Sequence, residues 1–144
     1  MTRRGFSFVE MLVVMIVLGI LASIAILRYR DLTNEALAGK VATDMQTIRL
    51  AAMNYYADTD TWPADAADGT VPPELVPLLP DNWSFTAPNF TYDFDNLGPV
   101  VGVTVRSPRP GLLEKLRQRL VQGAPFVDTG GSVMYLLIGP GVSI

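Results

Sequence analysis

The 144 residues include no cysteine and no histidine. The first absence excludes a disulfide and thiol chemistry. The second removes the imidazole base of the common catalytic triads. There is no G-x-S-x-G and no glycine loop of the kind that cradles phosphate. Cations are also few, 11 Lys and Arg against 14 Asp and Glu, for a net charge of −3. The chain as a whole therefore exerts no general pull on nucleic acid. Asp93 and Asp95 share one face of a predicted strand, but nothing marks a cleft around them, so they read as solvent-facing. No enzyme reading finds support, and the residues imply neither a catalytic site nor a cofactor.

What is present is concentrated at the start. MTRRGFSFVE leads into seventeen uncharged residues, Met11 to Leu27. With Phe6 to Glu10 the run reaches twenty-two residues and one charge, near the roughly 20 that cross a bilayer as a helix. A secretory signal has a shorter apolar run, about 7–15 residues, and a small-residue cleavage site. Ala22-Ser23-Ile24-Ala25 could serve as a weak one. Arg3 and Arg4 precede the span and place the N-terminus in the cytoplasm. A carboxylate at the centre of a membrane helix costs roughly 2.5–3.5 kcal/mol, and less near an interface. Glu10 is thus a candidate functional residue that needs a partner. On a continuous helix Phe6 and Glu10 share a face as i and i+4. Cleavage between Gly5 and Phe6 would place a new α-amine roughly 6 Å along the axis from Glu10.

Gly5-Phe6-Ser7-Phe8-Val9-Glu10, with Arg3 and Arg4 before it and the apolar run after it, resembles the class III leader of type IV prepilins and type II secretion pseudopilins. The commonest form in that family is G-F-T-L-[IV]-E, from which Ser7 and Phe8 depart mildly. The resemblance covers about thirty residues. It implies cleavage after Gly5 by a prepilin peptidase and methylation of the Phe6 amine. It also implies pairing of Glu10 with the N-terminus of an adjacent subunit, and assembly with related pilins on an inner-membrane platform. Many type IV pilins close a C-terminal loop with a disulfide, so the cysteine-free chain tilts toward the pseudopilins. Loss of Met1 to Gly5 takes away Arg3 and Arg4 and moves the formal charge from −3 to −5.

The helix is expected to continue past the membrane. Leu37, Val41, Met45, Ile48, Ala52 and Tyr55 form an amphipathic stripe, with Arg30, Glu35, Lys40, Asp44 and Arg49 mostly off it. A helix from Phe6 to about Ala57 is predicted, apolar all round in its first half and on one face in its second. Gly19 and Ser23 make a small-xxx-small pair suited to close helix approach. In related pilins a glycine at the position of Gly19 borders a segment that loses helical form, usually with a proline eight residues on. Leu27 stands there instead and favours a straighter helix.

Proline, glycine and aspartate then dominate, and residues 58–88 read as a surface connection with a helical turn at Pro73 to Leu79. Asp58, Asp60, Asp65 and Asp68 lack the spacing and closing glutamate of a calcium loop. Major pseudopilins carry calcium nearer the C-terminus, where this chain offers only Asp128 with Thr129, Gly130 and Gly131. Calcium is the one cofactor this stretch leaves open. Phe90, Tyr92 and Phe94, and then Val101, Val103 and Val105, alternate with polar or small residues as two strands. Gly111 to Gln122 reads as a short amphipathic helix, and Ser132 to Ile138 as a strand apolar on both faces. Arg106, Arg109, Lys115, Arg117 and Arg119 form a basic cluster, read as a solvated helix face; some minor pilins use such patches for DNA.

The expected architecture is α+β, a long helix packed on a small antiparallel sheet. Its parts are a leader (1–5), a membrane or filament-core segment (6–27), an amphipathic half-helix (28–57), a connection (58–88) and a sheet region (89–144). The expected role is a filament subunit, foremost a type II secretion pseudopilin, anchored in the inner membrane with a periplasmic domain before assembly. The alternatives are a minor type IV pilin for adhesion or DNA uptake, and a single-span periplasmic binding module that never polymerises.

Overall fold

A computed structural model describes residues 6–120 and 125–137. The leader with Gly5, the end of the predicted helix (Val121 and Gln122) and Ile138 lie outside them. One helix, α1 (Phe8–Thr59, 52 residues), dominates the molecule. At 1.5 Å per residue it is about 78 Å long. It starts two residues later and ends two residues later than predicted, because the caps set both limits. Ser7 is the extended N-cap, and Asp60 closes the other end in the left-handed conformation (φ 57°), its N–H on the Tyr56 carbonyl. The helix is unbroken through Gly19 and Leu27.

After α1 the chain makes a 3-10 turn at Val76–Leu78. It then forms β1 (Thr86–Ala87), β2 (Phe90–Asn96), β3 (Val101–Arg106), α2 (Leu112–Leu120), β4 (Phe126–Asp128) and β5 (Ser132–Leu136). The strands form one antiparallel sheet in the order β1-β2-β3-β5-β4. The expected α+β architecture is what is seen. β1 and β4 escaped the sequence reading because two and three residues are too few to show alternation.

One face of the sheet lies against the upper part of α1. Tyr92, Phe94, Val101, Val103, Val105, Val133 and Tyr135 point to it and are buried with Val41, Met45, Ile48 and Ala52 of the helix. Leu37 and Tyr55, at the ends of the predicted stripe, pack partly against this core. α2 closes the core from the side with Leu112, Leu116 and Leu120. Among the described residues the opposite sheet face carries no helix, so β5 is not buried on both faces as expected. Val133 and Tyr135 are buried, while Met134 and Leu136 on the other face are only half-buried.

Residues 63–69 continue the sheet edge past β1. The Gly69 N–H donates to the Tyr92 carbonyl at 2.9 Å, and the Asn96 side chain donates to the Pro63 carbonyl at 2.8 Å. Gly69 has φ 77°, and a Cβ there would lie 2.5 Å from Thr86 Oγ1, so the docking requires glycine.

Candidate functional site

The mouth of α1 is a capping box. Ser7 Oγ accepts from the Val9 N–H at 3.3 Å, and the Ser7 N–H donates to Glu10 Oε2 at 2.8 Å. This arrangement satisfies two helix-end donors reciprocally. It also corrects the expected geometry. Phe6 lies outside the helix, so it and Glu10 do not share a helical face in the uncleaved chain. Glu10 instead holds the N–H of the residue that follows Phe6. Ser7 is the functional residue that the sequence reading passed over, and its signal was in view: Ser-x-x-Glu before an apolar run is an N-terminal signature. Phe6 is 77% exposed.

From Phe6 to Leu32 every residue of the chain is exposed. The segment is long and apolar enough to cross a membrane, and none of its most apolar stretch is buried by the domain. Gly19 and Ser23 both lie within it. A Cβ at Gly19 would meet nothing within 4 Å, and the Ser23 hydroxyl donates back to the Ile20 carbonyl at 2.7 Å. Among the described residues the pair therefore has no packing partner.

Where α1 leaves the apolar run, α2 lies alongside. Lys115 pairs with Asp31 at 2.9 Å and approaches Glu35 at 3.9 Å, and Arg119 pairs with Glu35 at 2.9 Å. The Asp31 carboxylate holds the Lys115 ammonium above its ordinary pKa. Arg109 Nε donates to the Asn34 side chain, whose amide in turn donates to the Pro110 carbonyl at 3.0 Å. Arg117 pairs with Asp128 at 2.7 Å and Glu114 at 3.4 Å. Four of the five cluster cations thus pair with carboxylates, while Arg109 bonds the Asn34 side chain. Asp128 is engaged by Arg117 and by the Gly130 N–H at 2.8 Å, which leaves little of it for calcium. Among the described residues no group of three or more acidic, histidine or cysteine side chains is placed to hold a metal ion.

Two acidic side chains depart from their expected positions. Asp44 is on the buried face of α1, 9% exposed, where its Oδ2 accepts from the Tyr92 hydroxyl at 2.8 Å and pairs with Lys40. Asp93 is 6% exposed and not solvent-facing. The 63–69 segment covers it, and Arg106 bridges it (3.2 Å) to Asp68. Burial, the bonded Asp68 carboxyl and the nearby Asp95 push Asp93 up to about 7. Asp68, bonded to Asp93 and Arg106, is held below its ordinary value. Asp95 is half-buried and accepts from the Thr104 hydroxyl.

Two family models match the chain: the prokaryotic N-terminal methylation motif over residues 1–26, and the C-terminal region of PilW over residues 33–86. Among curated relatives, the fimbrial protein EcpC of Eikenella corrodens is 32% identical over 65 residues, 45% of this chain and 42% of that protein. The type IV major pilin protein PilE of Neisseria gonorrhoeae is 30% identical over 63 residues, 44% of this chain and 38% of that one. A fimbrial protein of Neisseria meningitidis is 29% identical over 63 residues, 44% and 37% of the two chains. The matches thus span less than half the length of each of these relatives. No solved structure gives a significant match.

Proposed function

We propose that this chain, which is a type IV pilin-like protein with a prepilin leader, is a structural subunit that leaves the membrane to join a helical filament. The observation that carries the reading is the division of α1. Its upper part is buried by its own domain, while its lower part is apolar, exposed and headed by a carboxylate that, among the described residues, accepts only from the Ser7 N–H. Lipid can cover that surface before assembly, and the same surface of other copies can cover it afterwards.

Before assembly the chain crosses the inner membrane once, with Arg3 and Arg4 in the cytoplasm and the sheet domain in the periplasm. Hydrolysis of the Gly5–Phe6 bond gives a Gly5 carboxylate and a Phe6 amine, which is then methylated. That amine lies one residue from the Ser7 N–H already bound to Glu10 Oε2. A carboxylate accepts at both oxygens. Oε2 can keep the helix cap while Oε1 receives the amine of a neighbouring copy. Charge pairing then offsets the cost of burying Glu10 in the filament. Gly19 and Ser23 form a narrow strip along which copies of the helix can approach. The partners on this reading are the prepilin peptidase, an assembly platform, and related pilins.

The named relatives are pilus proteins, while the absence of cysteine fits a secretion pseudopilus. The proposal is the filament subunit common to both. Co-expression with a prepilin peptidase tests it. Mass spectrometry should show loss of Met1 to Gly5 and a methylated Phe6. Glu10→Ala should be processed normally yet enter filaments at least tenfold less than wild type. An unclipped chain, or normal assembly of that variant, overturns the assignment.

A further inference from the structure

The net charge of −3 is not spread evenly. Arg28 and Arg30 follow directly on the apolar run, are exposed, and make no ion pair among the described residues. Asp31, the residue after Arg30, and Glu35, about 7.5 Å further along the axis than Arg30, would cancel them, but α2 brings Lys115 and Arg119 onto those two carboxylates. It also brings Arg109 onto Asn34. Five cations therefore face two carboxylates at one level of an acidic protein. Glu114, the acidic residue of α2, is turned to Arg117.

The level is set by the helix. Arg30 lies about 4.5 Å along the axis from Leu27, and Glu35 about 12 Å. The headgroup layer on each side of a bilayer is roughly 5–8 Å thick. Arg28 and Arg30 thus fall inside it. The α2 cations stand just above, within about a Debye length (8–10 Å). Tyr29, 71% exposed, and Leu32, 69% exposed, supply the amphipathic and apolar surface suited to that interface.

We infer that Arg28 and Arg30, backed by Arg109, Lys115 and Arg119, form a collar that binds anionic phospholipid headgroups of the outer leaflet. The inference rests on the membrane-anchored state of the proposed function and adds a lipid preference to it. α2 makes the preference possible by neutralising Asp31 and Glu35. The collar also gives the anchored chain a fixed depth, and its lipids must be shed when the subunit leaves the bilayer.

The test uses the full chain in bilayers of phosphatidylcholine and phosphatidylglycerol at 3:1, with spin-labelled forms of both lipids reporting which one contacts the protein. At low salt wild type should prefer phosphatidylglycerol about threefold, and 0.5 M salt should screen that preference away. Arg28→Gln with Arg30→Gln should bring the ratio to about one, whereas Arg28→Lys with Arg30→Lys should keep it. Lys115→Gln with Arg119→Gln, which uncovers Asp31 and Glu35, should lower it partway. A bilayer-resident wild type with no lipid preference overturns the collar alone, as does a double glutamine variant that keeps the preference. A chain recovered outside the bilayer overturns the anchored state itself.

Discussion

From Phe8 to Leu32 every residue of α1 is exposed, whereas seven between Ala38 and Ala52 are buried. Both stretches are rich in aliphatic residues, and the helix is continuous between them. From Met11 to Leu27 the lower part is apolar all round, so no single neighbour can cover it. The upper part confines its apolar residues to a stripe that one sheet and one short helix cover. The carboxylates follow the same division. Asp44 and Asp93 find their partners inside the domain. Among the described residues Glu10 finds only the Ser7 backbone N–H. The domain is covered within a single copy and the stalk is not, which is the physical basis of the proposed assembly through one end.

Loss of Glu10 should have the largest effect, since it removes the charge on which the proposed docking rests. Next in size is a pair of substitutions that sets the two stretches directly against each other. Ile48 is fully buried, and Ile16 is 55% exposed. Ile48→Ala should cost the domain about 2–5 kcal/mol, the usual range for emptying a packed site. Ile16→Ala should leave its stability within about 0.5 kcal/mol. Denaturation in detergent, followed by the fluorescence of Trp62 stacked 4.6 Å from Tyr56, reads the domain and not the stalk. Equal effects would mean that the lower stretch is also covered by its own chain, and the comparison would fail.

The Asp93 site sharpens the same contrast through pH. Its carboxyl is raised from an ordinary 3.8 to about 7, so between those values the folded domain holds a proton that the unfolded chain has released. The stability gained is full below about pH 4 and is lost as pH rises through 7. Asp68, lowered, acts in the opposite sense and only at the acid end. At about 1.4 kcal/mol per pKa unit, and with Arg106 offsetting part of the cost, wild type should be about 2 kcal/mol more stable at pH 5 than at pH 8. Asp93→Asn should flatten that slope. A steep slope surviving in the variant would place the titrating group elsewhere. Filament contacts made by the stalk should not share this pH dependence.

The sequence made the long helix, its apolar stripe, β2, β3 and α2 legible because each repeats a pattern over enough residues to be counted. Glu10 was legible because a charge in an apolar run is an anomaly. The burial of Asp93 was not. It depends on Asp68 and Gly69, more than twenty residues earlier, docking across the edge of β2, and nothing in the local alternation of that strand encodes such a lid. Asp44 was missed for a related reason. It sits beside the stripe, and the Tyr92 hydroxyl arriving from β2, together with Lys40, makes its burial tolerable.

Ser7 offers the smallest effect and the finest distinction at the stalk. Ser7→Ala removes the hydroxyl that accepts from Val9 but keeps the backbone N–H that binds Glu10. Loss of such a cap costs about 0.5–2 kcal/mol of local helix stability. The expected result is fraying of the first turn of α1, seen as faster amide exchange at Phe8 and Val9. Domain stability and processing should not change, and filament yield should fall by no more than a few-fold, because the charge of Glu10 remains. Glu10→Gln makes the complementary change, keeping an acceptor for the Ser7 N–H while removing the charge. If the cap were what matters, Ser7→Ala would be the more damaging of the two. If the charge matters, Glu10→Gln should assemble as poorly as Glu10→Ala while its first turn stays as protected as in wild type.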